Sequence, residues 1–326
     1  LINSLMDISR MLHDSIDYLT PKDEQRQITE LICHLIDYID YGHELERLFN
    51  EYIECRNTFS NLDGVIYLLI TKVGNLCMLA HKLMNGKHNK KTSTFVKACL
   101  AYCHVTIPSL ELVWPRLYLF CNLGQIALVN NMINQAEAFF IAAILLIPKL
   151  PNTFTAQYSN QIQSTPALLS EYIETFCSTI IVMPGHPEKG PFYLLQLLKE
   201  NLLKFSLWKD GNINQYKIKA FIGIFKCLCT YSQKEFPYNI DNVSSNDKLY
   251  GQISKYMNLC FKELNDLGKS IHEQILQLSD TGKSLDKQAQ GYLSLYFINT
   301  IIDFIILTNK SNKIIIKLHE TALKAP

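Results

Sequence analysis

The sequence predicts an all-α fold: an α-solenoid of HEAT-like antiparallel helix pairs. Three observations carry this. Apolar residues recur at steps of three and four in one segment after another, the period of a helix with a single buried face. No segment shows a persuasive period-2 alternation bounded by hairpin turns, which a half-buried sheet would need. The patterned segments number about a dozen, each roughly 12 to 25 residues long with short connections. A helix and its connection then take ~20 to 25 residues and a pair ~40 to 47, the range of HEAT-type units. Such an array is expected to be right-handed and elongated, with its stability spread along it.

In chain order, residues 1 to 17 place Leu5, Ile8, Met11, Leu12 and Ile16 on one face, and a turn at Thr20 to Asp23 holds Pro21. Thr29 to Phe49 is helical, with Leu31, Ile32, Leu35, Ile36 and Ile39 apolar, and breaks near Gly42. Asp63 suits the start of the next helix, since a carboxylate there can accept from free first-turn amides. That helix is expected to bury Val65, Leu68, Leu69, Val73, Leu76, Ala80 and Leu83 and to stop at Gly86. A polar loop, Lys87 to Lys91, follows. The stretch from Lys91 to Ile147 organises the chain, and its second half has the clearest periodicity. Val129, Met132, Ile133, Ala136, Phe140, Ala143, Ile144 and Ile147 fall on one face, with Asn130, Asn131, Asn134, Gln135 and Glu137 on the wet side. Ala136, Ala142 and Ala143 let a neighbouring helix come close, and Pro148 and Pro151 end the run. Pro108 sits where a first-turn proline is tolerated.

Asn152 to Ser164 is polar and aperiodic, and reads as a long exposed loop. It marks a possible subdivision of a single array spanning 1–326. Thr165 and Pro166 signal a new start, and Leu168, Leu169, Tyr172, Ile173, Phe176, Cys177 and Ile180 line one face. Met183 to Pro191 contains Pro184, Pro187, Pro191, Gly185 and Gly190, and must be a shaped turn. Helical patterns follow at Phe192 to Leu207, Gln215 to Tyr231, Leu249 to Leu278, Gln288 to Leu307 and Lys313 to Leu323.

With 48% apolar and 19% charged residues among 326, the chain belongs with folded rather than disordered sequences. A net charge of +1 makes no overall electrostatic case for nucleic acid. The ten cysteines lie within apolar helical runs, which points to reduced, buried thiols and a cytoplasmic setting. No uninterrupted apolar run reaches the ~18 residues of a membrane span, so no transmembrane segment is expected. Phe139 to Ile147 is cut by Pro148, and the run around Ile301 to Leu307 contains Asp303. The start at Leu1 and the immediate helical pattern lead one to expect a fragment of a longer protein.

Candidate chemistry is sparse. The Gly-Lys-Ser triplets at 268–270 and 282–284 lack the earlier glycine of a phosphate-cradling loop, since Glu263 and Gln277 stand there. His34, Asp37, Asp40 and His43 are three apart, a spacing that could ligate a metal but also fits the polar rim of a helix beside Tyr38 and Tyr41. Cys99, Cys103 and His104 include a thiol pair at i, i+4 without a second pair, which favours packing over zinc. Cys33, Cys55, Cys77, Cys99 and Cys121 recur every 22 residues, but their neighbours do not repeat. Lys82, Lys87, Lys90, Lys91 and Lys97 form a local basic cluster that could meet an acidic partner or lipid head groups, or simply be solvated. No residue is assigned to catalysis, a cofactor or a metal.

Five runs carry a resemblance: CRNTFSNLD (Cys55 to Asp63), KTSTFVKACLAYCHVTIPSL (Lys91 to Leu110), QAEAFFIAAI (Gln135 to Ile144), MPGHPEKG (Met183 to Gly190) and VSSNDKLYG (Val243 to Gly251). In this order the sequence resembles the large subunit of the retriever complex, the vacuolar protein sorting-associated protein 35-like family, in its C-terminal half. The resemblance implies a non-catalytic scaffold on the cytoplasmic face of endosomes that supports recycling of cargo to the plasma membrane. It implies a phosphoesterase-fold small subunit held by this half and an arrestin-like subunit held by the N-terminal half, which this sequence does not match. A coiled-coil/COMM-domain assembly and sorting nexin adaptors are further partners it suggests. The best-matched turns nominate His186, Pro187, Glu188, Phe192 and Tyr250 as partner-binding residues. Two other readings stand beside it: an unrelated helical-repeat adaptor, against which the lack of a 34-residue period counts, and an all-helical metal-dependent enzyme, against which the lack of paired aspartate-rich motifs counts.

Overall fold

A computed structural model describes residues 2–155, 162–186, 188–205, 208, 214–232, 256–278 and 284–308. They form twelve α-helices and one short hairpin, so the all-α expectation holds. Two compact units divide the chain, Leu1–Leu146 and Ile147–Pro326. The expected helix at Lys313 to Leu323 lies outside the described residues.

The first unit holds α1 (Ile2–Asp14), α2 (Lys22–Asp37), α3 (Leu45–Thr58), α4 (Asp63–Leu83), α5 (Lys90–Thr106), α6 (Val113–Val129) and α7 (Ile133–Leu146). Neighbours pair in sequence, α1 with α2, α3 with α4, α4 with α5 and α6 with α7. Alternate helices also meet, α2 with α4, α4 with α6 and α5 with α7. Contacts to the next helix and the next but one are the signature of stacked helix pairs, each covering its neighbour's apolar face. The pivot is α4, which packs on α2, α3, α5 and α6. Val65, Ile66, Leu69, Ile70, Val73, Leu76, Cys77 and Ala80 are all buried along it. By length and composition α4 could also cross a membrane, although Lys72 interrupts its apolar run. Half of its most apolar window is nevertheless buried against the neighbouring helices.

Several local expectations change. On α1 the buried residues are Met6 and Ser9, whereas Ile8 and Met11 are exposed. Besides its packing on α2, α1 meets α3 and the residue after it, with Met6 at 3.6 Å from Cys55 and His13 packed edge-on against Phe59 at 5.4 Å. Leu83 at the end of α4 is likewise exposed. Asp63 does not cap α4, whose N-cap position is Leu62 with no side-chain cap. Its carboxylate instead accepts the Glu111 backbone N–H at 2.8 Å, tying α4 to the connection before α6. The stop at Gly86 holds, with Asn85 and Gly86 both at positive φ, 49° and 77°.

The long periodic stretch ending at Ile147 is not one face of one helix. Asn131 adopts φ 57° and breaks it into α6 and α7. Val129 faces solvent, while Asn130, expected to be wet, is fully buried. Its Nδ2 donates to the Ile126 carbonyl at 2.7 Å, and its Oδ1 pairs with His88 Nε2 at 2.8 Å. Between α6 and α7, Gly124 lies under the ring of Phe140, which is fully buried.

In the second unit, Asn152 to Ser164 is not a featureless loop. Thr153–Thr155 (β1) pairs antiparallel with Ile162–Ser164 (β2), Phe154 opposite Gln163. Strands of three residues are too short for alternation to register in the sequence. Then come α8 (Thr165–Ile180), α9 (Tyr193–Lys204), α10 (Asn214–Tyr231), α11 (Tyr256–Gln277) and α12 (Ser284–Thr308). The hub is α10, which packs on α8, α11 and α12.

A polar clamp joins three of these helices. Lys226 Nζ on α10 donates to Glu174 on α8 at 3.0 Å and to the hydroxyl of Tyr296 on α12, and that hydroxyl donates to Glu174. Burial acts to raise the Glu174 carboxyl, but the hydrogen bonds from Tyr296 and Lys226 outweigh it and lower the group from its ordinary value. A depressed folded pKa contributes stability that is present above the unfolded value and lost as pH falls through the folded one. Glu174→Gln should therefore destabilise the protein at neutral pH by about 1 kcal/mol, a modest figure because the pair is partly solvated. The difference from the parent should shrink as pH drops below ~4.3, the ordinary value for Glu. Denaturant titrations at neutral and acid pH check this; a difference that stays constant across that window contradicts it.

Candidate functional site

The turn between α8 and α9 is the most shaped surface feature that the sequence nominates. Met183 closes the end of α8, its N–H donating to the Ile180 carbonyl at 3.0 Å, and is buried. His186 and Gly190 then exchange both backbone hydrogen bonds, at 3.1 and 2.9 Å. Gly190 has φ 88°, a conformation that side chains rarely adopt and that closes this small loop. Inside it, His186 Nδ1 accepts from the backbone N–H groups of Glu188 and Lys189, each at 3.1 Å. This arrangement leaves Nε2 to carry the proton and fixes the ring, which meets Tyr193 edge-on at 5.5 Å. Lys189 Nζ lies 5.4 Å from the centroid of the same Tyr193 ring. Glu188 and Lys189 are exposed at the tip. The result is a closed, internally bonded loop that presents one carboxylate and one ammonium beside an imidazole and a phenol, with little conformational entropy left to lose.

The nominated residues separate here. His186 and Glu188 belong to the turn. Phe192 does not face outward: it is 5% exposed, stacked on Tyr231 at 5.4 Å and tilted against Tyr256 at 5.4 Å. It is a core residue that seats the turn on α10 and α11, and as a surface contact it is corrected. Its aromatic character beside a turn looked like an exposed anchor, and nothing local reveals that α10 and α11 close over it. Pro187, Tyr250 and the run from Val243 to Gly251 lie outside the described residues. Sequence reasoning missed Tyr193 and Lys189, which complete the turn's surface. The signal for Lys189 was its place next to Gly190 within the matched run, and Tyr193 follows that run by three residues.

The other constellations have structural partners. Asp37 pairs with Lys72 at 2.7 Å, and Asp40 accepts the Gly42 N–H at 2.7 Å. Among the described residues no group of three or more His, Cys, Asp or Glu gathers as a metal site would require. Cys33, Cys55, Cys77, Cys99 and Cys121 fall one to a helix on α2 to α6, because the 22-residue spacing is about the length of a helix plus its connection. Burial pushes the Cys55 and Cys260 thiols up to about 12. A hydrogen bond with Cys77 and burial also raise the Cys99 thiol, and burial raises that of Cys103. Thiols held protonated in this way are poor nucleophiles and poor ligands. His104 is half-buried and packs against Phe120 and Phe139 at 5.8 and 5.3 Å, as a packing imidazole. Gly268 is buried within α11, so its Gly-Lys-Ser triplet is helical and forms no loop around a phosphate. Gly282 and Lys283 of the other triplet lie outside the described residues.

The sequence model for the VPS35L C-terminal domain matches residues 1–325. The chain is 36% identical over 324 residues to proteins named "VPS35 endosomal protein-sorting factor-like" from Mus musculus and Homo sapiens. It is 34% identical over 324 residues to the protein named "VPS35 endosomal protein sorting factor-like" from Dictyostelium discoideum. These alignments cover 99% of this chain but 32 to 33% of each relative, so the chain spans about a third of their length. A solved structure titled "Circular tandem repeat protein with novel repeat topology and enhanced subunit contact surfaces" aligns with the whole chain and 69% of its own, at TM-score 0.45 and 10% identity, too loosely to bear on the fold. With the match running from the first helix to the last, the chain belongs to the VPS35L C-terminal domain family.

Proposed function

We propose that this chain is the partner-binding segment of a non-catalytic endosomal sorting scaffold, peripheral on the cytoplasmic side of endosomes. The observation that carries the proposal is the family match over residues 1–325, to relatives whose names describe endosomal protein sorting. Stacked helix pairs suit the role, because they expose extended surfaces without needing a central cavity. The finer reading is that this segment holds the phosphoesterase-fold small subunit and thereby supports recycling of cargo to the plasma membrane. The arrestin-like subunit belongs, on the same resemblance, to the family's N-terminal half.

Within this reading the turn at His186 and Glu188 is a contact, with Pro187 and Tyr250 kept as candidates from the sequence. The turn's internal hydrogen bonds support the choice, since a preformed loop loses little entropy on binding. A His186→Ala/Glu188→Ala double variant should raise the Kd for the phosphoesterase-fold subunit about tenfold, and Tyr250→Ala by a similar factor, in the range of interface anchors. Circular dichroism should be unchanged. Isothermal titration calorimetry decides: unaltered affinity in both variants rules these positions out, and no binding by the parent chain rules out the partner.

A further inference from the structure

The basic cluster singled out in the sequence has a structural setting that the proposed function does not use. Two depressions flank the first half of α5, in the first unit. One, of about 540 Å³, lies between the α4–α5 and α6–α7 turns, and its lining includes Lys87, His88, Lys97, Asn130, Asn134 and Gln135. The other, of about 510 Å³, is lined by Glu46, Lys90, Lys91, Thr94, Phe95 and Ala98. Among the described lining residues of both, four lysines stand against one carboxylate, Glu46, which is paired with Lys91 at 3.3 Å. Lys87, Lys90, Lys91 and Lys97 are all exposed.

The walls are preformed. His88 Nε2 and Asn130 Oδ1 bridge the two turns at 2.8 Å, and Asn130 is fully buried. Asn89 and Thr92 close a reciprocal capping box at the start of α5. Positive φ at Asn85, Gly86 and Asn131 fixes both turns in tight conformations. Asn134 and Gln135 bring carboxamides that can both donate and accept, the complement of a peptide backbone. Across α5, the half-buried Phe95 ring, edge-on to Phe49 at 6.0 Å, and the exposed Ala98 provide an apolar spot.

We propose that these two depressions form a docking surface for an extended acidic segment of a partner protein. Its carboxylates would lie by Lys87 and Lys97, its backbone against the carboxamides, and an apolar side chain over Phe95. Charge complementarity selects an acidic occupant. The carboxamides select a peptide over a bilayer: polybasic membrane contact works through lysines offered to a broad anionic surface, and the Asn134 and Gln135 amides that line the first depression add nothing to it. A volume of this size accommodates a few residues.

The test uses a fluorescein-labelled peptide, Glu-Glu-Leu-Glu-Glu-Asp, titrated with the whole chain and followed by fluorescence anisotropy. The parent chain should bind saturably, and more weakly at raised salt. Lys87→Glu/Lys97→Glu should raise the Kd at least about tenfold, with circular dichroism unchanged because both side chains are exposed. Lys149→Glu/Lys204→Glu makes the same change of net charge at exposed positions of the second unit, and should leave the Kd within about twofold. Asn134→Ala/Gln135→Ala should weaken binding a few-fold through lost amide contacts. Absence of binding by the parent chain, or equal weakening in both charge-reversed pairs, overturns the proposal. So does a chain that ignores the peptide yet binds phosphatidylserine vesicles in a manner abolished by Lys87→Glu/Lys97→Glu, which would make the surface a membrane contact.

Discussion

Phe140→Ala should destabilise the first unit by roughly 3–5 kcal/mol, the cost of truncating a buried aromatic where the surroundings cannot collapse. The ring is fully buried near the start of the middle turn of α7, among Ala136, Phe139, Ala143 and Ile144, all of them buried. On the facing helix it covers Gly124, which has no side chain to move into the space left. The cavity would therefore persist, and the cost belongs at the upper part of that range. The expected signature is a large drop in the denaturant midpoint of the transition that reports on the first unit. Because two compact units share the chain, a second transition would make a single stability value ill defined. A tryptophan signal from Trp114, buried in α6, gives a local probe once Trp208 is replaced. A change below about 1 kcal/mol, within the ordinary surface range, would mean that this face does not carry the core.

Gly124→Ala should also destabilise, and its sign should depend on Phe140. A Cβ built at Gly124 meets Phe140 Cε1 at 2.3 Å, and Cδ1 and Cζ at 2.8 Å. No real Cβ contact is that short, and a buried ring cannot swing aside as the end of a flexible chain can. The helices must separate or the ring must leave its rotamer, at a cost of roughly 1–3 kcal/mol. Against this, alanine is favoured over glycine inside a helix by about 1 kcal/mol. With the ring present the clash wins. In a Phe140→Ala background the obstacle is gone, the helix preference remains, and the new methyl fills part of the cavity. Gly124→Ala should then be neutral or stabilising. The double-mutant cycle should yield a coupling of roughly 1–3 kcal/mol, as expected for residues in direct contact. Equal effects of Gly124→Ala in both backgrounds would show that close approach to Phe140 is not why glycine stands there. Gly74 makes a milder version of this contact between α4 and α6, its built Cβ 3.2 Å from both Ile126 and Leu123.

The same pair illustrates what sequence can carry. Phe140 was legible as a core residue, because it lies three to four positions from Ala136, Ala143 and Ile144 and periodicity reports the buried face of a helix directly. The requirement for glycine at 124 was not, since it comes from a ring sixteen positions away on another helix. The candidate site divides likewise. That Met183 to Pro191 is a closed turn follows from its prolines and glycines, which act through their own backbone. That His186 binds two amides of that turn, and that Phe192 is sealed under Tyr231 and Tyr256, depends on how the turn is folded and what covers it.

By itself, then, the sequence determined the all-helical class, the helix ends at Gly86 and Pro148, the shaped turn after α8 and, through matched runs in order, the family. These rest on local sterics, on helical period and on kinship, each of which is written within a short window. Only the tertiary structure decided that Asn130 is buried and braces His88, that Asp63 ties down a distant connection instead of capping its own helix, and that Val129 and Leu83 face solvent. Period names the face of a helix that is apolar, but the neighbour that comes to rest against that face decides which residues lose water, and where each polar group finds its partner.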